Sequence, residues 1–236
     1  MKFIFLDTET TGLLDEDRLI QIAWYCEESG FVNELFKPPL PIKYGAMGVH
    51  HITEEDVIQK SSFIGSQTIG KLKELLSDHI IVAHNAEFDV NMLRKEGIVI
   101  NDFICTKKLA RRHINAESNS LQTLRYQLNL DTDKETVAHS AKGDVVVLVK
   151  LFNHIDSIVK KEIPDEKQRE EYYLKTGKAE ILESLPFGKY KNQLFSEVAR
   201  EHLDYLQWLW DQPGSKDSDL TLTLKHYLFP INKPIG

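Results

Sequence analysis

The stretch that most constrains the fold is Phe3-Ile4-Phe5-Leu6-Asp7-Thr8-Glu9-Thr10-Thr11-Gly12. Phe3 to Leu6 is an uninterrupted apolar run of strand length, the pattern of a strand buried on both faces. Period-two geometry then sends Asp7 and Glu9 to the same side. Two like charges at the end of a buried strand repel each other and lose hydration, so left unpaired they destabilise the fold. A divalent cation removes both penalties. The bland alternative is a strand end at the surface with solvated acids. Gly12 and the preceding threonines end the strand in a turn, leaving backbone N–H groups and hydroxyls to meet a ligand.

A chain of 236 residues with 42% hydrophobic residues suits one large domain or a main domain with a small appendix and is enough for a real core. No apolar run approaches 18 residues, and the N-terminus enters a strand without a signal-peptide pattern, so a cytoplasmic protein with no membrane partner is expected. Cys26 and Cys105 are far apart in sequence and form no CxxC, which fits a reducing compartment. A formal net charge of −7 argues against binding nucleic acid through a general basic surface, but not through metal ions. The densest basic patch, Lys107, Lys108, Arg111, Arg112 and His113, reads by default as a solvated helix face.

Arg18 to Glu27 alternates as a second strand and Phe31 to Phe36 as a third, across a turn at Glu28-Ser29-Gly30; the three strands read as an antiparallel meander. Prolines at 38, 39 and 41 open a loop that carries Met47, His50 and His51. Adjacent histidines on a loop point apart, so substrate contact or a loop-stabilising hydrogen bond is a better reading there than metal ligation. A helix is expected over Ser66 to Leu76, a strand over Ile80 to Ala83, and a further helix to about Lys95, ending at Gly97. Within that helix Asp89 shares the apolar face of Met92 and Leu93; an N-terminal cap is the alternative. A strand at about Asp102 to Cys105 precedes the basic helix, and another helix spans Leu121 to Leu128. In the long helix that follows, Asp144 lies on the stripe of Leu148, Leu151 and Ile155, with His139 in the loop just ahead. Three separate segments each delivering acids inward suggest that those acids converge.

Asp7, Glu9, Asp89 and Asp144 are hard oxygen ligands, suited to Mg²⁺ or Mn²⁺ rather than zinc. Four carboxylates exceed what one such ion takes from protein. Two ions about 3.5–4 Å apart make the clamp that phosphoryl-transfer enzymes use, one activating a water and the other stabilising the leaving oxygen. An unperturbed histidine, with a pKa near 6.5, can take a proton from that water at neutral pH, and His139 is the candidate general base.

These residues stand in three motifs: Asp7-Thr8-Glu9-Thr10-Thr11-Gly12, His84-Asn85-Ala86-Glu87-Phe88-Asp89 and His139-Ser140-Ala141-Lys142-Gly143-Asp144. In order and spacing the chain resembles the DnaQ-like DEDDh 3′-to-5′ exonucleases, and the histidine five residues before the last acid places it with the His subclass. The resemblance implies an α/β, ribonuclease H-like exonuclease fold, a mixed five-stranded sheet flanked by helices. It also implies contacts with the 3′-terminal nucleotide from Thr8 and Thr10, a base wedge at Leu13, a nucleoside pocket at Asn85 and Phe88, and a closing loop around Met47 and His50.

The segment Leu185-Pro186-Phe187-Gly188-Lys189-Tyr190-Lys191, followed by Asp204-Tyr205-Leu206-Gln207-Trp208-Leu209, resembles the small C-terminal domain of exodeoxyribonuclease X-like bacterial proteins. Asn192 stands where that motif commonly carries Gly, so a different turn is expected there. Lys189 and Lys191 leave a DNA contact and a purely structural role both open. The expected organisation is an exonuclease domain over 1–160, a charged linker or helix over 161–179 and the small domain over 180–236. The expected function is metal-dependent release of 5′-mononucleotides from 3′ ends of single-stranded or duplex DNA, in DNA repair. Trimming of RNA is the alternative within the same family, and a binding module that kept the fold without catalysis is the alternative from another class.

Overall fold

A computed structural model describes residues 1–130, 140–212 and 218–229. It divides into two compact units, 1–177 and 178–236. The first unit opens with β1 (Lys2–Thr10), β2 (Leu19–Cys26) and β3 (Gly30–Leu35), followed by α1 (Tyr44–His50), α2 (Glu54–Val57) and α3 (Gln67–Leu75). Then come β4 (His79–Ala83), α4 (Glu87–Lys95), β5 (Phe103–Cys105), α5 (Thr106–His113), α6 (Leu121–Gln127), α7 (Ala141–Glu162) and α8 (Glu166–Lys175). The strands form one five-stranded sheet in the order β3-β2-β1-β4-β5. The meander β1–β2–β3 is antiparallel, whereas β4 and β5 join parallel to β1, as the family resemblance implied.

Alternation along the central strand builds two cores. Ile4 and Leu6 face one side, where Ile22, Trp24 and Ile81 meet Leu72 of α3 and Val90 and Leu93 of α4. Phe5 faces the other, with Ala23, Val82 and Ile104 under Val145, Leu148, Phe152 and Ile155 of α7. A strand covered on both faces must be apolar throughout, which is what the Phe3–Leu6 run encodes. Among the described residues no helix is long and apolar enough to cross a membrane.

One expectation differs from the structure. The segment after the prolines, expected as loop, contains α1, whose two glycines give little intrinsic helix propensity. Tertiary packing supplies the rest, because Ile42, Ile52 and Val57 form a small core on Ile20 with Ala46 and Met47 against it. The stretch 161–179, expected as a charged linker or helix, holds the end of α7 and all of α8, within the first unit. Tyr173 of α8 is buried and its hydroxyl donates to Asp156 Oδ1 at 2.7 Å. Thr176 Oγ1, just beyond α8, accepts the backbone N–H of Cys105 at 2.9 Å, satisfying a donor on the edge strand β5.

The second unit carries α9 (Phe195–Glu201), α10 (Leu203–Asp211) and α11 (Ser218–Leu228) around a core of Leu185, Phe195, Val198, Leu206 and Leu224. Asn192 adopts the left-handed conformation at φ 69°, where a glycine would sit without strain and asparagine is among the best-tolerated alternatives. Tyr190 stacks on His202 with ring centroids 4.5 Å apart, and Lys189 Nζ lies over the Tyr190 ring.

Candidate active site

The site forms where β1 outruns its neighbour. Pairing with β4 runs from Lys2–His79 to Phe5–Val82 and stops, so that among the described residues β1 from Leu6 onward has no strand partner on that side. The chain leaves β4 at Ala83, reverses through Asn85 at φ 64° and starts α4 beside the open edge. Asp89, in the first turn of α4, then takes the place of the missing strand. Its Oδ1 accepts the Thr8 backbone N–H at 3.0 Å and the Thr8 hydroxyl at 2.7 Å.

Thr8 shares the parity of Leu6 and faces α4; Asp7 and Glu9 share the parity of Phe5 and face α7. There they meet Asp144, in the first turn of α7, and ligand oxygens of Asp7, Glu9 and Asp144 lie within 4.8 Å of one another. Gln122 Nε2 of α6 donates to Asp144 Oδ1 at 2.6 Å and fixes that carboxyl group.

The electrostatics report the convergence. Burial first, and then the charges of Asp89, Glu9 and Asp144, push the Asp7 carboxyl well above the carboxylate range. Burial with Asp144 and Asp89 raises Glu9 to about 8. Burial raises Asp89 to about 7 although the two hydrogen bonds from Thr8 pull it down. Asp7, Glu9 and Asp89, each held toward its protonated form with Asp144 nearby, offer oxygen-only donors that fit a hard divalent cation.

The other residues singled out in the sequence fall around this cluster. Thr10 is buried with its hydroxyl on Gly12 O, and Thr8 is engaged by Asp89. Leu13 projects from the turn after β1 with 71% exposure. His50 accepts the Ile52 N–H at Nδ1, so its Nε2–H donates to Thr10 O at 3.2 Å. Burial holds its pKa below the usual value, and this neutral histidine supplies the loop-stabilising hydrogen bond expected there. Met47 packs on the small α1 core, Asn85 is exposed and receives Lys107 Nζ at 3.3 Å, and Phe88 is half-buried at the start of α4. His139 lies outside the described residues.

Three supporting residues were not singled out. His84 donates from Nε2 to Asn119 O at 2.9 Å and pairs through Nδ1 with Thr106 Oγ1 at 3.0 Å, so it pins the turn into α4. Burial depresses its pKa to about 4, keeping it neutral. Gln122 carried no sequence signal. Asp17, in a polar stretch that reads as solvated turn, is fully buried and accepts from Thr11 Oγ1, Leu14 N and Lys43 Nζ at 2.7–2.8 Å. A Cβ on Gly12 would come within 2.5 Å of Asp17 Oδ2, which accounts for the glycine. Asp17→Ala leaves three donors, one of them cationic, without their acceptor and is expected to cost about 3 kcal/mol, read from denaturant unfolding. A loss below about 0.5 kcal/mol would show that Asp17 does not anchor the turn.

Comparison with known proteins places this arrangement. A family model described as RNase_T, exonuclease, matches residues 4–152. Exodeoxyribonuclease 10 of Escherichia coli (strain K12) is 31% identical over 230 residues, 94% of this chain and 97% of the relative. DNA polymerase III subunit epsilon of Buchnera aphidicola subsp. Acyrthosiphon pisum (strain APS) is 30% identical over 171 residues, 63% of this chain and 70% of the relative. Among solved structures, exonuclease X in complex with 5′-overhanging duplex DNA covers 75% of this chain and 99% of its own, with a TM-score of 0.56 at 24% identity. The nuclease domain of 3′hExo, a DEDDh family member bound to rAMP, covers 69% and 92% with a TM-score of 0.50 at 11% identity. The structural likenesses support the ribonuclease H-like fold, and with a family match over more than half its length and a relative aligned almost end to end, this chain belongs to the DnaQ-like exonuclease family.

Proposed function

We propose that the chain is a metal-dependent 3′-to-5′ exonuclease that removes 5′-mononucleotides from DNA 3′ ends, with DNA repair as its setting. The observation that carries this reading is the meeting of Asp7, Glu9 and Asp144 within 4.8 Å, near enough to Asp89 that burial and the neighbouring charges raise the Asp7 and Glu9 carboxyl groups. Those four residues would hold two divalent cations, Mg²⁺ or Mn²⁺. When bound, such ions supply the positive charge that activates an attacking water and offsets the charge on the leaving oxygen.

The chain's own residues do the remaining work. Thr8 holds Asp89 and Gln122 holds Asp144, so neither carboxyl group must be ordered when cation and substrate arrive. His139 is proposed as the base that takes the proton from the attacking water, and an imidazole is suited to that at neutral pH. Exposed Leu13 is proposed to stack on the terminal bases, with Thr8, Thr10, Asn85 and Phe88 around the last nucleotide and Met47 and His50 on the covering segment. Stacking on an apolar side chain tolerates any base, as an exonuclease that moves along a strand requires. The substrate assignment rests on the E. coli relative being named an exodeoxyribonuclease and aligning over nearly the whole chain.

Digestion of sequence-matched DNA and RNA oligonucleotides labelled at the 5′ end tests this function. A ladder shortening from the 3′ end, dependent on Mg²⁺ or Mn²⁺ and faster on DNA, is expected. Faster loss of RNA would reassign the substrate.

A further inference from the structure

A second group of metal-ligand side chains stands at the opposite end of the sheet. Cys26 ends β2, Glu28 lies in the β2–β3 turn and His79 begins β4, so the three converge across β1, which separates β2 from β4. One ligand atom from each lies within 4.8 Å of the other two. Along β1 the run from Lys2, which pairs with His79, to Asp7 is about 17 Å. This group is therefore separate from the acidic cluster.

The donor types differ as well. A thiol, an imidazole and a carboxylate form a borderline-soft set, the kind that selects zinc-class ions over magnesium. The imidazole is oriented for the task. His79 Nδ1 is 3.0 Å from Leu75 O and 2.6 Å from Asp78 Oδ1, so an Nδ1–H is held on that side. The other nitrogen, Nε2, points to Glu28 Oε2 at 2.8 Å. An Nδ1–H tied to a carbonyl or carboxylate is the outer hydrogen bond that fixes the tautomer of metal-ligating histidines. The His79 side chain is 2% exposed and Cys26 is buried, whereas Glu28 is 44% exposed, which leaves an entry path on one side only. Gly30, at φ 64°, lets the hairpin close tightly and bring Glu28 over the sheet end.

We propose that Cys26 Sγ, His79 Nε2 and a Glu28 carboxylate oxygen form a binding site for one zinc-class divalent cation, with water as fourth ligand. Tetrahedral zinc, with bonds of about 2.0–2.3 Å, spaces its ligand atoms about 3.3–3.8 Å apart. The Glu28–His79 contact opens by roughly half an ångström to admit the ion, and Cys26 exchanges its 3.0 Å contact with Ser29 Oγ for the metal. Binding releases the thiol proton and any proton on Nε2. The thiolate and the Glu28 carboxylate then balance the dication. Lys2 Nζ, 3.1 Å from Glu28 Oε1 and 2.9 Å from Asp78 Oδ2, stays on the outer carboxylate oxygens. The bound ion would clip the β2–β3 hairpin to the start of β4.

Titration of the reduced full-length protein with Co²⁺ tests the site, because a thiolate ligand adds a near-ultraviolet charge-transfer band that a carboxylate-only centre cannot give. Saturation near one equivalent is expected, with the band bleached by Zn²⁺, retained in Cys105→Ser and lost in Cys26→Ser and in His79→Gln. Glu28→Gln, on the exposed turn, is expected to fold normally and to weaken binding about tenfold or more. No band at saturating Co²⁺, a band that survives Cys26→Ser, or unchanged affinity in Glu28→Gln would overturn the assignment.

Discussion

Asp7→Asn is expected to lower the hydrolytic rate by about 10³-fold or more while making the metal-free protein more stable at pH 8. The two effects share one cause. Asp7 is half-buried among Asp89, Glu9 and Asp144, so its charge is unfavourable in the folded chain until a cation offsets it. Removing that charge removes repulsion that metal-free protein bears, by about 1–3 kcal/mol, and removes a ligand that the loaded enzyme needs. Rate measurements at saturating Mg²⁺, paired with urea unfolding in chelator, read both. If activity and metal-free stability fell together, Asp7 would be a structural group and the metal assignment would be lost.

Metal-free protein is also expected to lose a few kcal/mol of stability as pH rises from about 4.5 to 8, and saturating Mg²⁺ to suppress most of that loss. The sign follows from the raised carboxyl groups. Glu9 at about 8 and Asp89 at about 7 keep protons in the folded state that the unfolded chain, titrating near 4, has already released. Unfolding therefore releases protons throughout that window, and raising the pH favours it. For these two groups the loss levels off about one unit above the Glu9 value. Cation binding to the ionised carboxylates reverses the preference. The informative quantity is the difference between unfolding curves with and without Mg²⁺ at several pH values, since groups away from the cluster cancel. A difference that does not grow with pH would mean that the carboxyl groups are not coupled to the ion.

The acids were legible because each broke a local rule. Asp7 and Glu9 end a buried apolar strand, and Asp89 and Asp144 occupy apolar helix stripes, so periodicity alone marked positions where a hydrophobe was due. Their supports were not legible. Asp89 is held because β4 stops pairing at Val82 and leaves the Thr8 N–H open, which depends on strand register between segments 77 residues apart. Gln122 and His84 act through contacts with Asp144 and Asn119, and nothing in their neighbouring sequence encodes those distances. Asp17 is buried by the return of Lys43 over the turn, so a polar stretch that looks solvated is not. α8 was legible only as a charged linker or helix, because it buries little beyond Tyr173 and shows no apolar stripe. Local chemistry reported what was out of place, and tertiary geometry decided what held it there.

The gap beside Thr8 bears on which residue should be replaced to trap the enzyme on its substrate. Asp89 is both a proposed metal ligand and the acceptor that closes the β1 edge, so Asp89→Ala strips the Thr8 N–H and hydroxyl of their partner along with the charge. An inactive protein made at that position would mix lost chemistry with a loosened strand, and weak substrate capture could not be assigned to either. Asp7 carries no such second duty. A substitution there leaves the scaffold at full strength, which makes it the position of choice for holding a nucleic-acid 3′ end in place without cutting it.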